Sequence, residues 1–142
     1  MSSSEAPLVE LLRRQDIGTL ATLKRDGRPQ LSNINYTWDD VTRTIRASVT
    51  DNRAKVNNLR RDPRASLHVD TDDGWSYAVA EGNAQLTPVT TAPDDATMTE
   101  LIEVYRAIGG EHPDWDDYRA AMIRDRRLVL RLPVDRLYGL VR

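Results

Sequence analysis

Residues 17 to 38 constrain the fold more than any other stretch. Ile17, Thr19, Ala21 and Leu23 alternate with Gly18, Leu20, Thr22 and Lys24, the period of a strand that turns one face to a core. Asp26-Gly27 follows, a pair suited to the positive backbone angles of a tight hairpin. A second strand runs from about Pro29 to Trp38, and a third from about Arg43 to Thr50. Three strands in hairpin order at the start of a chain point to an antiparallel sheet.

The remaining pattern agrees. Residues 4–14 read as a short helix, with Ser4 as cap and Leu8, Leu11 and Leu12 on one face. A second short helix spans Asn52–Arg61, capped by Asp51 or Asn52, and Pro63 stops it. Ala65, Leu67 and Val69 mark the next strand, Asp70 to Gly74 a turn, and Trp75 to about Thr87 a long strand. Residues 87–93 form a Thr/Pro-rich connector. Met98, Leu101, Ile102, Tyr105 and Ile108 define a helix over 94–108, ended by Gly109-Gly110. Another helix covers about 114–126, and strands 127–132 and 135–141 finish the chain. About seven strands and three or four helices, without strict strand–helix alternation, make a mainly antiparallel barrel with peripheral helices. With 142 residues, the chain is read as one domain over 1–142.

The strongest functional signal follows the third strand. Arg53 and Lys55 fall in the first turn of the Asn52–Arg61 helix, where unpaired backbone N–H groups already favour an anion. Acidic residues normally occupy that end, so two cations there call for a partner, and a phosphate fits. The competing reading is a solvated basic helix, and Arg60, Arg61 and Arg64 suit that reading or the rim of a dimer. From Arg53 to Arg64 five cations face one Asp, although the whole chain carries −2. A net negative domain argues against general nucleic-acid binding.

Other chemistries find little support. No apolar run reaches the roughly 18 residues of a membrane span, and Met-Ser-Ser-Ser-Glu-Ala-Pro does not open like a secretory signal. There is no Cys, which removes thiolate metal sites and disulfides and fits a cytoplasmic location. His68 and His112 lack partners at metal-ligand spacing, so no metal site is expected. Asp70 to Gly74 begins like a calcium loop, but Gly74 and Trp75 stand where a ligand and the turn glycine belong. No nucleophile elbow, Walker loop or strand-linked dinucleotide fingerprint occurs. Gln30, Ser32 and Asn33 offer hydrogen bonds along a strand, and Trp75 and Tyr77 an aromatic pair on one strand face. Each also fits plain packing or a solvated face.

Taken together, Gly18-Thr19-Leu20-Ala21-Thr22, the stretch Asp26 to Asn33, and the stretch Asn52 to Ala65 resemble the pyridoxamine 5′-phosphate oxidase-like split barrels. Asp73 to Gly82 and Glu111-His112-Pro113-Asp114-Trp115-Asp116-Asp117-Tyr118 resemble the actinobacterial branch of that family that uses the deazaflavin coenzyme F-420. The resemblance implies a six- to seven-stranded antiparallel split β-barrel of the FMN-binding type. It implies a homodimer with cofactor sites at the subunit interface and a small-molecule substrate. By that resemblance Arg53 and Lys55 hold the cofactor phosphate, with Ser48 and Thr50 nearby. Pro29, Gln30, Ser32 and Asn33 lie along the ring, Trp75 and Tyr77 come from the second subunit, and Arg28 is a weaker candidate for the acidic tail of the cofactor. The C-terminus, Val134 to Arg142, lacks the Trp- and Arg-bearing stretch of true pyridoxamine phosphate oxidases, which argues against vitamin B6 oxidation. The implied activity is hydride transfer from reduced F-420 to an electron-poor acceptor. No catalytic residue is assigned. An FMN-dependent oxidoreductase and a non-catalytic F-420-binding or storage protein are the alternatives.

Overall fold

A computed structural model describes residues 5–142. The first helix, α1 (Ala6–Arg14), begins after Glu5, and the expected Ser4 cap lies outside the described residues. Strands β1 (Ile17–Leu23) and β2 (Pro29–Asn35) form the expected hairpin, with Thr19 opposite Asn33 and Leu20 opposite Ser32. Gly27 at the turn has φ +86°, open to glycine at little cost.

Two expected long strands are each broken in two. The chain leaves β2 at Tyr36 and continues as β3 (Thr37–Asp39) in another sheet. Tyr36 is 1% exposed; its N–H donates to the Asp16 carbonyl and its hydroxyl to the Leu12 carbonyl at 2.7 Å, so it is pinned into the core where the strand turns. The second break is at Ala84, whose N–H donates to the Pro63 carbonyl at 2.7 Å, separating β6 (Tyr77–Asn83) from β7 (Gln85–Leu86). Between them lie β4 (Thr44–Thr50), α2 (Ala54–Arg61) and β5 (Arg64–Asp70). Helices α3 (Ala96–Gly109) and α4 (Trp115–Arg124) and strands β8 (Arg127–Pro133) and β9 (Arg136–Leu140) complete the order. The described residues therefore hold nine strands rather than about seven.

One antiparallel sheet runs β2-β1-β5-β6-β9 and the other β3-β4-β8-β7. Their inward faces, with α1 and α2, enclose the main core, which includes Leu20, Tyr36, Val49, Leu67, Leu128 and Leu130. At Gly82 the sheets press close together: a Cβ there would sit 2.1 Å from the Pro133 carbonyl oxygen, so no side chain fits. The outward face of β4–β8 is covered by α3 and α4 through a second cluster around Met98, Leu101, Val104, Tyr118 and Val129. Glu100 of α3 meets Arg131 at 2.9 Å and Arg46 at 3.7 Å on that face. The outward face of the larger sheet carries no helix and leaves Ile17, Leu31, Tyr138 and Leu140 exposed. The architecture is a mainly β split barrel with peripheral helices. No described helix is long and apolar enough to cross a membrane.

Candidate functional site

The site is built at the turn that joins β4 to α2. Asp51 is not the helix cap that the sequence suggests. Its side chain is turned away from the helix start, to accept Nε and Nη2 of Arg126 at 3.2 and 2.9 Å and to pair with Nη1 of Arg60 at 2.8 Å. Those hydrogen bonds hold its carboxyl below the usual range, Arg126 first and Arg60 next. Asn52 takes φ +75°, a left-handed turn that Asn tolerates. The cap position falls to Arg53, which makes no side-chain capping bond. The N–H groups of Ala54 and Lys55 find no acceptor among the described residues, and no acid lies in the first turn. The helix start thus keeps its partial positive charge.

Beside it lies a cavity of about 690 Å³ between the two sheets and the α3–α4 pair. Outward positions of β2 and β4 supply Asn33, Asn35, Ser48 and Thr50. Arg53 comes from the cap of α2, Lys55 from its first turn, and Arg127 from the first position of β8, directly opposite Thr50. Tyr105, Ile108, Tyr118 and Met122 make an aromatic and apolar wall. Lys55 is the cation most affected by its setting: burial pushes its ammonium down, and Arg53 and Arg127 push the same way. Asp117, exposed on α4, is the carboxylate in the lining.

Two buried polar atoms in this wall have no partner among the described residues: Ser48 Oγ and Arg127 Nε. Leaving such an atom unbonded costs about 1–3 kcal/mol, more for a charged group, so both call for a partner from outside the protein. Arg127 does reach the Ser48 carbonyl through Nη1, but at 3.4 Å. The Asn33 amide is already oriented, since its Oδ1 accepts from Thr19 at 3.0 Å and its NH2 is left to donate. Tyr118 cannot offer a proton easily: its hydroxyl donates to the Leu101 carbonyl at 3.0 Å, and burial pushes it up to about 12. His112 accepts the Asp114 N–H at Nδ1, 2.9 Å away, and packs among Tyr105, Trp115 and Tyr118.

Of the residues singled out in the sequence, Asn33, Ser48, Thr50, Arg53 and Lys55 come together here. Ser32 points inward, opposite Leu20, with its Oγ buried and unbonded. Gln30 accepts from Asn58 Nδ2 at 2.8 Å and, with Pro29, lines a separate groove on the other side of α2. Arg28 is exposed and lines neither. Trp75 and Tyr77 do not share a strand face, because β6 starts only at Tyr77. Trp75 is 63% exposed on the preceding turn, under the Arg142 guanidinium, while Tyr77 stacks on His68; neither lines the cavity of its own chain. Arg127, Tyr105 and His112 are among the lining residues that sequence reading did not assign. Arg127 carried one signal, an outward phase with Val129 and Arg131 in the last-but-one strand, but its register against Thr50 is a tertiary fact.

Residues 5–140 match the family described as pyridoxamine 5′-phosphate oxidase. Solved structures share the fold. A conserved hypothetical protein, Rv2991 from Mycobacterium tuberculosis, superposes with a TM-score of 0.72 at 24% identity, covering 98% of this chain and 84% of that one. An F420 reductase superposes with a TM-score of 0.67 at 22% identity, covering 91% of this chain and 94% of its own. A heme binding protein from Mycobacterium smegmatis reaches 0.71 at 20% identity, covering 99% of this chain and 55% of that one. With the match spanning nearly every described residue, and with the sheets, core and α2 turn arranged as above, the chain belongs to the pyridoxamine 5′-phosphate oxidase family.

Proposed function

We propose that this protein is a reductase that binds the deazaflavin coenzyme F-420, with its phosphate at Arg53, Lys55 and Arg127. The observation that carries the reading is the meeting, among the described residues, of three cations without carboxylate partners, two free amides of a helix start, and the orphaned Ser48 Oγ and Arg127 Nε in one cavity. That donor set fits an anionic ester. The choice of deazaflavin rests on the resemblance of residues 73–82 and 111–118 to the F-420-using branch; the likeness to an F420 reductase at 22% identity carries the fold alone.

When bound, the reduced deazaflavin would supply a hydride to an electron-poor acceptor. The chain's own part is to bind, align and dry the site. Arg53, Lys55 and Arg127 fix the phosphate, and the Asn33 amide, held by Thr19, presents donors toward the ring. Ile108, Met122 and Tyr105 exclude water from that side. The carbonyl-bound Tyr118 hydroxyl is a poor source for the accompanying proton.

A homodimer completes the proposal. The helix-free face with Ile17, Leu31, Tyr138 and Leu140 exposed supports it, since exposed apolar surface favours association. Trp75 and Tyr77 from the partner subunit would then approach the ring.

Titration by deazaflavin fluorescence tests the cofactor. Micromolar binding is expected, about −8 kcal/mol. Arg53→Ala with Lys55→Ala should weaken it by several kcal/mol, since each charge-assisted bond is worth roughly 1.5–3. Unchanged affinity in that variant would remove the phosphate assignment. Tight binding of FMN with none of F-420 would turn the reading to an FMN-dependent oxidoreductase, and saturable F-420 binding without turnover over a broad acceptor panel would turn it to storage.

A further inference from the structure

The junction behind the cavity holds two residues in an uncommon backbone state. Among the described residues three non-glycines take positive φ: Arg43, Asn52 and Arg126. Two of them, Asn52 at +75° and Arg126 at +55°, are brought together by Asp51. The Asp51 N–H donates to the Arg126 carbonyl at 3.0 Å. The carboxylate returns the link across 75 positions of sequence, its Oδ2 accepting from Arg126 Nε and Nη2 at 3.2 and 2.9 Å. Its Oδ1 meets Arg60 Nη1 at 2.8 Å, which ties α2 to the same group.

Each left-handed residue stands directly before a cavity cation. Asn52 precedes Arg53, and Arg126 precedes Arg127. Asn52 is the third residue of a turn that the Arg53 N–H closes on the Thr50 carbonyl at 3.3 Å, a place that asparagine fills readily. Arg126 follows α4, its N–H donating to the Ile123 carbonyl at 3.1 Å. An arginine is disfavoured in that backbone state and persists there only when its surroundings hold it. Arg53 and Arg127 enter the cavity lining, whereas Asp51 and Arg126 stay out of it. The carboxylate thus draws two chain segments together without facing the anion. Arg127 Nε is buried with no partner among the described residues, so this guanidinium is held in place with a donor to spare.

We infer that Asp51 and Arg126 are positioning residues for the anion site: their pair holds the segments that carry Arg53 and Arg127 against each other, so that both cations meet one anion. The inference rests on the reading that an anionic ester binds beside Arg53, Lys55 and Arg127. A pair that served only to fasten the two strands would do so anywhere along the β4–β8 ladder. This one lies at the ladder's last rung, Thr50 opposite Arg127, where β4 gives way to α2 and α4 to β8. The same rung supplies Thr50 and Arg127 to the cavity.

The test uses the full chain, with inorganic phosphate and F-420 as probes. Phosphate binding is followed through the Ala54 and Lys55 amide resonances, and F-420 binding by fluorescence. Arg126→Gly removes the guanidinium but suits the backbone, because glycine takes positive φ freely, so the melting temperature should stay near that of the wild type. Both ligands should nevertheless bind about tenfold more weakly, the effect of losing one charge-assisted bond. Arg60→Gln takes the same charge from the same carboxylate but leaves the two segments joined, so binding should stay within about twofold, as for an exposed pair. Asp51→Ala supplies a difference in sign. Removing a carboxylate near a cationic site would by charge alone tighten anion binding, whereas loss of the positioning pair should weaken it by about tenfold. Equal affinities in Arg126→Gly and Arg60→Gln, or tighter binding in Asp51→Ala, would overturn the positioning role. Phosphate binding without F-420 binding would overturn the cofactor reading alone, and the phosphate series would still decide this one.

Discussion

A single ammonium carries the clearest pH dependence in the cavity. Burial lowers the Lys55 pKa, and the neighbouring Arg53 and Arg127 lower it further. Below that lowered value the folded chain must hold a charge that its surroundings disfavour; the cost is relieved as pH rises from the folded value toward that of an ordinary lysine. Anion binding has the opposite interest, since it needs the charge. Affinity for F-420 should therefore fall as pH rises through the lowered Lys55 pKa, before an exposed lysine would titrate, and by about tenfold or more if one charge-assisted bond is lost. In Lys55→Arg the guanidinium stays charged, and binding measured across the same pH range should be flat. A wild-type profile as flat as that of the variant would take Lys55 out of the site. Lys55 and Arg53 were readable from the sequence because they sit beside each other at a helix start. Arg127 was not, because 72 positions separate it from Lys55 and only the β4–β8 register brings it across from Thr50.

At the scale of elements, the cavity wall depends on how α3 is seated on the outward face of β4–β8. Glu100 bridges that joint. Its hydrogen bond to Arg131 holds the carboxyl below the usual carboxylate range, against the opposing effect of burial, with Arg46 assisting. A carboxyl with a depressed folded pKa contributes stability above its unfolded pKa and loses it as pH falls through the folded value. Glu100→Gln should lower stability at neutral pH by about 1 kcal/mol, the upper end for a pair partly screened by solvent, and the gap should close in acid. Denaturant unfolding of both proteins at neutral and acidic pH measures it; a gap independent of pH would assign the effect to packing. The helices themselves were plain in the sequence, from the spacing of Met98, Leu101, Ile102 and Tyr105. Their partner surface was hidden, because Val129 and Ser48 look like ordinary strand residues until the sheet is assembled. The Asn52–Arg61 helix is also legible in the sequence, but its cap is not: Asp51 has the right chemistry for a cap, and two arginines, one distant in sequence, draw it away.

For the whole molecule, the expected barrel emerged with its β1–β2, β3–β4 and β5–β6 hairpins, while β8 and β9 part into different sheets, and the strand count rose because Tyr36 and Ala84 break strands whose alternation runs through without a mark. A buried tyrosine tied to a helix carbonyl is a tertiary constraint that no local pattern announces. The exposed face of the larger sheet supports assembly into a dimer, and Leu31, 65% exposed at its edge, is a suitable probe. Leu31→Glu should shift the sedimentation coefficient from that of a dimer toward that of a monomer and leave the fold unchanged by circular dichroism; a monomeric wild type would end the dimer proposal. The larger sheet takes its strands from positions 17–35, 64–83 and 136–140, and the smaller from 37–50, 85–86 and 127–133, so each is stitched from three separate lengths of chain. Neither sheet corresponds to a fragment that could be cut out and kept whole, and any cleavage that frees part of one unravels the seam of the other.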